Sequence, residues 1–432
     1  MLECLFVTAC AAIVVLTAAS SVPAASEDDF FPIMPWDSLR GWDTQVKGFK
    51  DPLESVAECN FTVAGFVQPD QLAVCERLGL KAIISRPADL APGYKKWFGE
   101  TDAEADAAVK ARVAQAGKSD TILGYFIIDE PGAPAFPLLA KTVAAVRKYA
   151  PGKLSYINLF PGYATIGAPD DSQLGTKSFT EYLEKFVAEV KPDILSYDNY
   201  KVMTSDNFQS PQQGSSFFSD LIEVRRVSQE HGIPFWNVCC SNQIRPYTTV
   251  PSPANLSLQA YATLAAGGRG LSWYTYYQRG YAYAPIDKDG DREDTWFYLQ
   301  MVNRQVKTLG PIMNRLKSTG VFFTNPPAAH LAALPGKLIK SVDSISSIKG
   351  FSSDSPPIMV GEFVGKDGSN YVMLVNVSLE KSANVKLHTV QTYARKEVIS
   401  AASRSLSPLN ETDGHWLVPG SGVLIKLTRE AK

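Results

Sequence analysis

From about residue 30 to residue 310, short apolar runs alternate with longer segments in which apolar residues recur every three or four positions. The runs read as strands buried on both faces, and the longer segments as amphipathic helices. "FFPIMPW" precedes the helix candidate "PLESVAEC", "FTVAGFVQ" precedes "DQLAVCERLG", and "KAIISRP" precedes "DAEADAAVKARVAQAG". "ILGYFIIDEP" precedes "PLLAKTVAAVRKYA", "KLSYINLFPG" precedes "FTEYLEKFVAEV", and "DILSYDNY" precedes "FFSDLIEVRRVSQEHG". "PFWNVCCSN" then precedes "ANLSLQAYATLAAGG", and "GRGLSWYTYY" precedes "WFYLQMVNRQVKTLG". Eight such units in about 280 residues match a (β/α)8 barrel, because parallel strands need crossover connections. A doubly wound open sheet is the alternative, but no Gly-rich phosphate loop follows the first run.

After about residue 312 the period shortens to two. "NYVMLVNVSLE", "ANVKLHTV" and "GVLIKLTRE" alternate apolar and polar residues, separated by turn sequences such as "GKDGSN" and "PGSG". That texture is antiparallel. The expected fold class is α/β: a (β/α)8 TIM barrel over residues 26–312, followed by a small antiparallel β-sandwich over residues 313–432.

Composition narrows the setting. The chain has 432 residues, 45% of them hydrophobic, with a formal net charge of -2. That is enough to bury a large core, and the near-neutral balance gives no electrostatic case for nucleic acid. The opening "CLFVTACAAIVVLTAAS" followed by "SVPAAS" reads as a signal peptide, residues 1–25, cleaved near Ala25; an uncleaved anchor is the competing reading. Sequons at Asn60, Asn255, Asn376 and Asn410 fit a secreted glycoprotein. Past the leader, Cys59, Cys75, Cys239 and Cys240 allow three disulfide pairings, the simplest being Cys59–Cys75 with a vicinal Cys239–Cys240 bond.

Chemistry in such a barrel gathers at the carboxyl ends of the strands. Those ends carry Trp36 and Asp37, then Gln68, then Arg86, then Asp129 and Glu130, then Asn158. Asp198, Asn199 and Tyr200 close the sixth run, Cys239, Cys240 and Asn242 the seventh, and Trp273, Tyr274 and Tyr276 lie in the eighth. Carboxylates for proton transfer, amides for hydroxyls and rings for stacking are what a sugar pocket needs.

Three motifs carry a resemblance. "IIDEPG" at the end of the fourth strand resembles the Asn-Glu-Pro of clan A glycoside hydrolases. "SYDNY" resembles the Ser-Trp-Asp-x-Tyr of the sixth strand in family 42 β-galactosidase-like proteins, and "GGRGLSWYTYY" resembles their eighth-strand segment. The resemblance covers residues ~30–310 and implies that Glu130 is the general acid, with Asp129 in place of the Asn that holds a sugar hydroxyl. A carboxyl at the lip of an apolar strand is partly desolvated, which keeps it protonated for a leaving oxygen. The clan's nucleophile Glu, expected at the end of the seventh strand, is missing: Cys239, or Cys240 with a one-residue slip, stands there. Asp198 is the best substitute and Asp37 the second; a spacing on the order of 6.5–9.5 Å from Glu130 would leave room for water and favour inversion.

Asp287, Asp289, Asp291 and Asp294 approach calcium-loop spacing, but Tyr298 occupies the position of the bidentate Glu, so a solvated loop is expected and no metal. None of the four His lies at a barrel strand end. The leading expectation is a secreted, monomeric enzyme acting on a carbohydrate substrate, with no organic cofactor, no nucleic acid and no membrane contact after signal cleavage. Glu130 would be the acid and Asp198 the base or an anchor. Trp36, Asp37, Asp129, Asn158, Asn199, Tyr200, Cys239, Cys240, Trp273 and Tyr276 would contact substrate. The alternative is a non-catalytic carbohydrate-binding barrel.

Overall fold

The computed structural model describes residues 30–37, 42–87, 97–165, 173–204, 208, 214–346 and 355–430. The expected signal peptide lies outside them. Eight parallel strands form the barrel: β1 (Ile33–Pro35), β2 (Val63–Val67), β3 (Lys81–Ile84), β4 (Ile122–Asp129), β5 (Leu154–Leu159), β6 (Leu195–Asp198), β7 (Phe235–Cys240) and β8 (Gly270–Tyr274). Neighbours in sequence are neighbours in the sheet, and β1 pairs with β8. The remaining seam is closed by Thr62 N–H to Ile33 C=O at 3.0 Å and Phe66 N–H to Asp37 C=O at 3.1 Å.

A helix follows each strand: α1 (Pro52–Glu58), α2 (Leu72–Leu78), α3 (Asp102–Ala116), α4 (Phe136–Tyr149), α5 (Phe179–Val190), α6 (Ser215–His231), α7 (Pro253–Ala266) and α8 (Asp294–Asn314). Their starts are set by side chains that cap otherwise unpaired amides. Asp51 accepts from Leu53 N–H, Thr101 and Glu104 form a capping box, and so do Ser252 and Asn255. Strand alternation sorts the barrel side chains into two cores. Met34, Phe66, Phe126, Tyr156, Trp236 and Val238 fill the lumen, whereas Ile33, Val67, Ile127, Ile157 and Leu271 face the helices.

The chain passes from α8 directly into β9 (Leu316–Phe323). The antiparallel strands that follow are β10 (Ile339–Ile345), β11 (Ile358–Gly365), β12 (Asn370–Asn376), β13 (Ala383–Thr389), β14 (Arg395–Ile399), β15 (Leu406–Pro408), β16 (His415–Leu417) and β17 (Gly422–Thr428). They make a six-stranded sheet, β15-β14-β17-β12-β11-β9, and a three-stranded sheet, β10-β13-β16, with an apolar core between them. Among the described residues no helix is long and apolar enough to cross a membrane.

α7 joins the two parts, and all its residues from Asn255 to Ala266 are buried. One face covers the barrel and the other lies on the six-stranded sheet, close enough that a Cβ on Gly361 would sit 2.2 Å from the Ala265 carbonyl oxygen. A side chain there has nowhere to go, so glycine lets the sheet and helix backbones meet.

Two features differ from expectation. Asn255 and Asn376 are buried, with side-chain amides bonded to Val250 C=O and to Lys381 C=O, so neither sequon can carry a glycan in the folded chain. The four described cysteines are free, buried thiols. Cys59 Sγ faces the Trp296 carbonyl, 3.5 Å away. Cys239 and Cys240 are consecutive on one strand and project to opposite faces of the sheet, so no vicinal bond joins them.

Candidate functional site

The site grows from the ends of β4, β5 and β6. Asn158, last but one in β5, is its hub. Its Oδ1 accepts a hydrogen bond from the Ser196 hydroxyl at 3.0 Å, which turns Nδ2 toward the carboxyl groups. Nδ2 donates to Asp129 Oδ1 and to Asp198 Oδ1, each at 3.1 Å, so those two oxygens lie no more than twice that distance apart. Asp198 also bonds to Tyr200. Ser196, Asp198 and Tyr200 face the site because two-residue alternation brings the odd members of "SYDNY" to one side.

Glu130 follows β4 in a left-handed conformation, φ 46°, which is costly for a residue with a Cβ. In a regular strand, neighbouring side chains point to opposite faces. The turn at Glu130 brings Asp129 and Glu130 into one cavity of about 140 Å3, also lined by Trp36, Asn158, Asp198, Tyr200, Ile244, Tyr274 and Tyr281. Glu130 N–H donates to the Asn158 carbonyl at 2.8 Å, tying the turn to β5.

Three carboxyl groups in so small a space resist ionisation. Burial, then repulsion from Glu130, pushes Asp129 up to about 8. Burial raises Glu130 to about 7. Asp198, buried beneath them, is raised well above the ordinary range by burial first, then by Glu130 and Asp129. At neutral pH the cluster therefore holds protons that exposed carboxylates would have lost. Among the described residues no group of three or more His, Cys, Asp or Glu is arranged to hold a metal. In the "DKDGDRED" loop, Asp291 pairs with Lys47, Asp289 pairs with Lys288, and Asp287 accepts the Asp289 and Asp291 amides.

The opposite wall is aromatic. Tyr200 stacks on Tyr274, ring centroids 5.5 Å apart and nearly parallel. Tyr274 OH meets Tyr281 OH at 2.7 Å, and Trp36 meets the Tyr274 ring edge-on at 5.6 Å. Tyr274, Tyr281 and Ile244 also line the site, beyond the substrate contacts expected from the sequence. Tyr274 is consecutive with Trp273, and only the register of β8 decides which of the two faces inward. Tyr281 and Ile244 arrive on loops and carry no local signal.

Other expected site residues lie elsewhere. Asp37 is a buried anchor: its carboxylate accepts Tyr276 N–H at 2.9 Å and Tyr277 N–H at 2.5 Å, and pairs with Arg279 at 2.8 Å. It therefore fixes the loop after β8 and does not line the cavity. Trp273 points outward and donates to Asn303 on α8 at 2.9 Å. Tyr276 is buried between Ser55 on α1 and Trp296 on α8. Asn199 turns from the cavity to donate to Asp220 at 2.6 Å. Neither Cys239 nor Cys240 lines the cavity. Burial pushes the Cys240 thiol up to about 12 and holds Cys239 well above the ordinary thiol range, so neither supplies a thiolate.

No family model matches the sequence, and no curated protein matches it significantly. Solved structures do match. The chain superposes on a catalytic mutant of Gan42B, a family 42 β-galactosidase from G. stearothermophilus, with a TM-score of 0.58 and 8% identity, covering 93% of this chain and 98% of that one. A family 5 glycoside hydrolase from Bacteroides vulgatus gives a TM-score of 0.51 and 12% identity over 93% of this chain and 89% of its own. A β-galactosidase from the psychrophilic Marinomonas ef1 matches at a TM-score of 0.48 and 11% identity; it covers 67% of this chain, which spans 63% of that larger protein. At such identities the likeness concerns the fold, and that fold, a parallel eight-stranded barrel like those of clan A, is shared with glycoside hydrolases.

Proposed function

We propose that the chain is a secreted glycoside hydrolase that cleaves O-glycosidic bonds in a poly- or oligosaccharide, with Glu130 as general acid. One observation carries the reading: Asp129, Glu130 and Asp198 converge at the carboxyl end of the barrel, facing a wall of Trp36, Tyr200, Tyr274 and Tyr281. A general acid works best with a pKa near the working pH, and Glu130 is raised to about 7 by burial. The rings give a sugar apolar faces to stack on, while Asn158 and the remaining carboxyls offer partners for hydroxyls. The N-terminal apolar run followed by small residues supports secretion.

The test is hydrolysis of a glycan and aryl-glycoside panel by wild type and Glu130→Gln. The variant keeps size and shape but has no carboxyl proton to give. Activity on unactivated glycosides is expected to fall ~10²–10⁴-fold. Aryl glycosides with good leaving groups are expected to suffer less, since they need less protonation. Glycan binding without release of reducing ends, unchanged by Glu130→Gln, would replace the enzyme with a carbohydrate-binding barrel.

A further inference from the structure

Cleaving a glycoside needs a second group besides the acid: a nucleophile, or a base that activates water, acting on the far face of the sugar. The described cavity has all three carboxyls in one sector. Asp129 and Glu130 end β4, and Asp198 on β6 is held to Asp129 through the single Asn158 amide. The sector built from β7, β8 and β1 presents Ile244, Tyr274, Tyr281 and Trp36. β7 itself ends in two buried neutral thiols, and Asp37 after β1 is spent on backbone amides and Arg279. Among the described residues, then, no carboxylate stands across the cavity from Glu130. There are also more carboxyls around Glu130 than proton transfer alone requires, and among the described residues lining the cavity there is no Lys or Arg.

Building on the glycosidase reading, we infer that the substrate supplies the missing nucleophile: the enzyme acts on glycosides of 2-acetamido-2-deoxy sugars, with Asp129 orienting the acetamido group. In the first step the acetamido carbonyl oxygen gives its electron pair to C1. The bond from C1 to the leaving oxygen breaks, and that oxygen takes the Glu130 proton. The product is a five-membered oxazolinium ring bearing the positive charge, its N–H directed to Asp129. In the second step water attacks C1 and gives a proton to the Glu130 carboxylate. The ring C–O bond breaks, and its electron pair returns to the carbonyl oxygen. Two inversions give net retention.

The surplus carboxyls then have a use. As Glu130 gives up its proton, the cation forming beside the cluster offsets the negative charge developing there, which is stabilisation present in the transition state and absent from the ground state. Ile244 and the aromatic wall supply the apolar surface that an acetamido methyl group needs.

Matched 4-nitrophenyl glycosides of both anomeric forms test this, bearing 2-acetamido, 2-trifluoroacetamido or 2-hydroxyl groups. The 2-acetamido substrate is expected to exceed the 2-hydroxyl one in kcat/KM by at least ~10²-fold, because an intramolecular nucleophile has a high effective molarity. The electron-poor trifluoroacetamido substrate should be slower than the acetamido one, and NMR should show the first-formed sugar with retained configuration. Asp129→Ala should lose both the acetamido preference and tight binding of a thiazoline mimic of the closed ring, measured by calorimetry. Glu130-dependent hydrolysis of 2-hydroxyl glycosides at equal rates, or an inverted product, would overturn the inference and leave the glycosidase reading standing. If wild type neither cleaves any 2-acetamido glycoside nor binds the thiazoline, the inference is overturned. Failure of Glu130→Gln to alter any glycoside's turnover would sink the underlying reading instead.

Discussion

At the scale of single residues, the cavity concentrates strain and unfavourable charge. Asp129 and Glu130 are raised to about 8 and about 7, far above ordinary carboxyl values. The native state thus binds more protons than the unfolded chain between about pH 4 and pH 8, and stability falls as pH rises through that window. Above it both states are ionised, and the cost of holding the charges together is fully present. Asp129→Asn should therefore raise the melting temperature at pH 8 more than at pH 5, with a gain on the order of 1–2 kcal/mol at the higher pH, while glycosidase activity drops. Equal shifts at both pH values would mean that Asp129 does not titrate as described. The same logic gives kcat/KM for unactivated glycosides a falling limb near pH 7, where Glu130 loses its proton, and Glu130→Gln should abolish that limb.

At the scale of elements, β8 shows how one residue of register separates chemistry from scaffold. Trp273 and Tyr274 are neighbours, yet one binds α8 through Asn303 and the other stacks on Tyr200 in the cavity. Trp273→Ala should open a core cavity, strand the Asn303 amide and cost ~3–5 kcal/mol in chemical denaturation. Tyr274→Ala should leave the fold nearly as stable and raise KM about tenfold through loss of a stacking surface. Aromatic content alone cannot divide "SWYTYY" this way, because every second position is apolar on both faces of a parallel strand. The same ambiguity applies to Tyr276, which lies between α1 and α8, and to Asn199, an even member of "SYDNY" that turns to Asp220; the odd members Asp198 and Tyr200 share a face by spacing alone.

At the scale of the whole molecule, the barrel and the sandwich share α7. The helix reads as apolar over most of its circumference, and both of its faces are covered: one by the barrel, one by β9, β11, β12 and β17. A chain ending at Asn314 would expose that second face. It should express as an aggregating species that binds hydrophobic dye, not as an independent barrel. Gly361→Val should mimic part of this loss by driving a side chain into the α7 backbone, lowering the melting temperature without touching the cavity. A monomeric, fully folded truncation would show that the interface is dispensable.

By itself, the sequence determined the order and type of the elements, because apolar period records whether a segment is strand or helix. It also marked the end of β4, where an apolar run stops at Asp129-Glu130-Pro131. Whether neighbouring side chains share a cavity, however, depends on backbone turns and strand register that local pattern does not encode. The positive φ at Glu130 brings two adjacent carboxyls together. The Ser196–Asn158 bond aims one amide at Asp129 and Asp198, residues that lie 29 and 40 positions from Asn158. The parity of β8 exchanges Trp273 for Tyr274, and opposite projection from β7 keeps two consecutive cysteines from bonding. These are long-range outcomes of closing the barrel, and only the folded chain decides them.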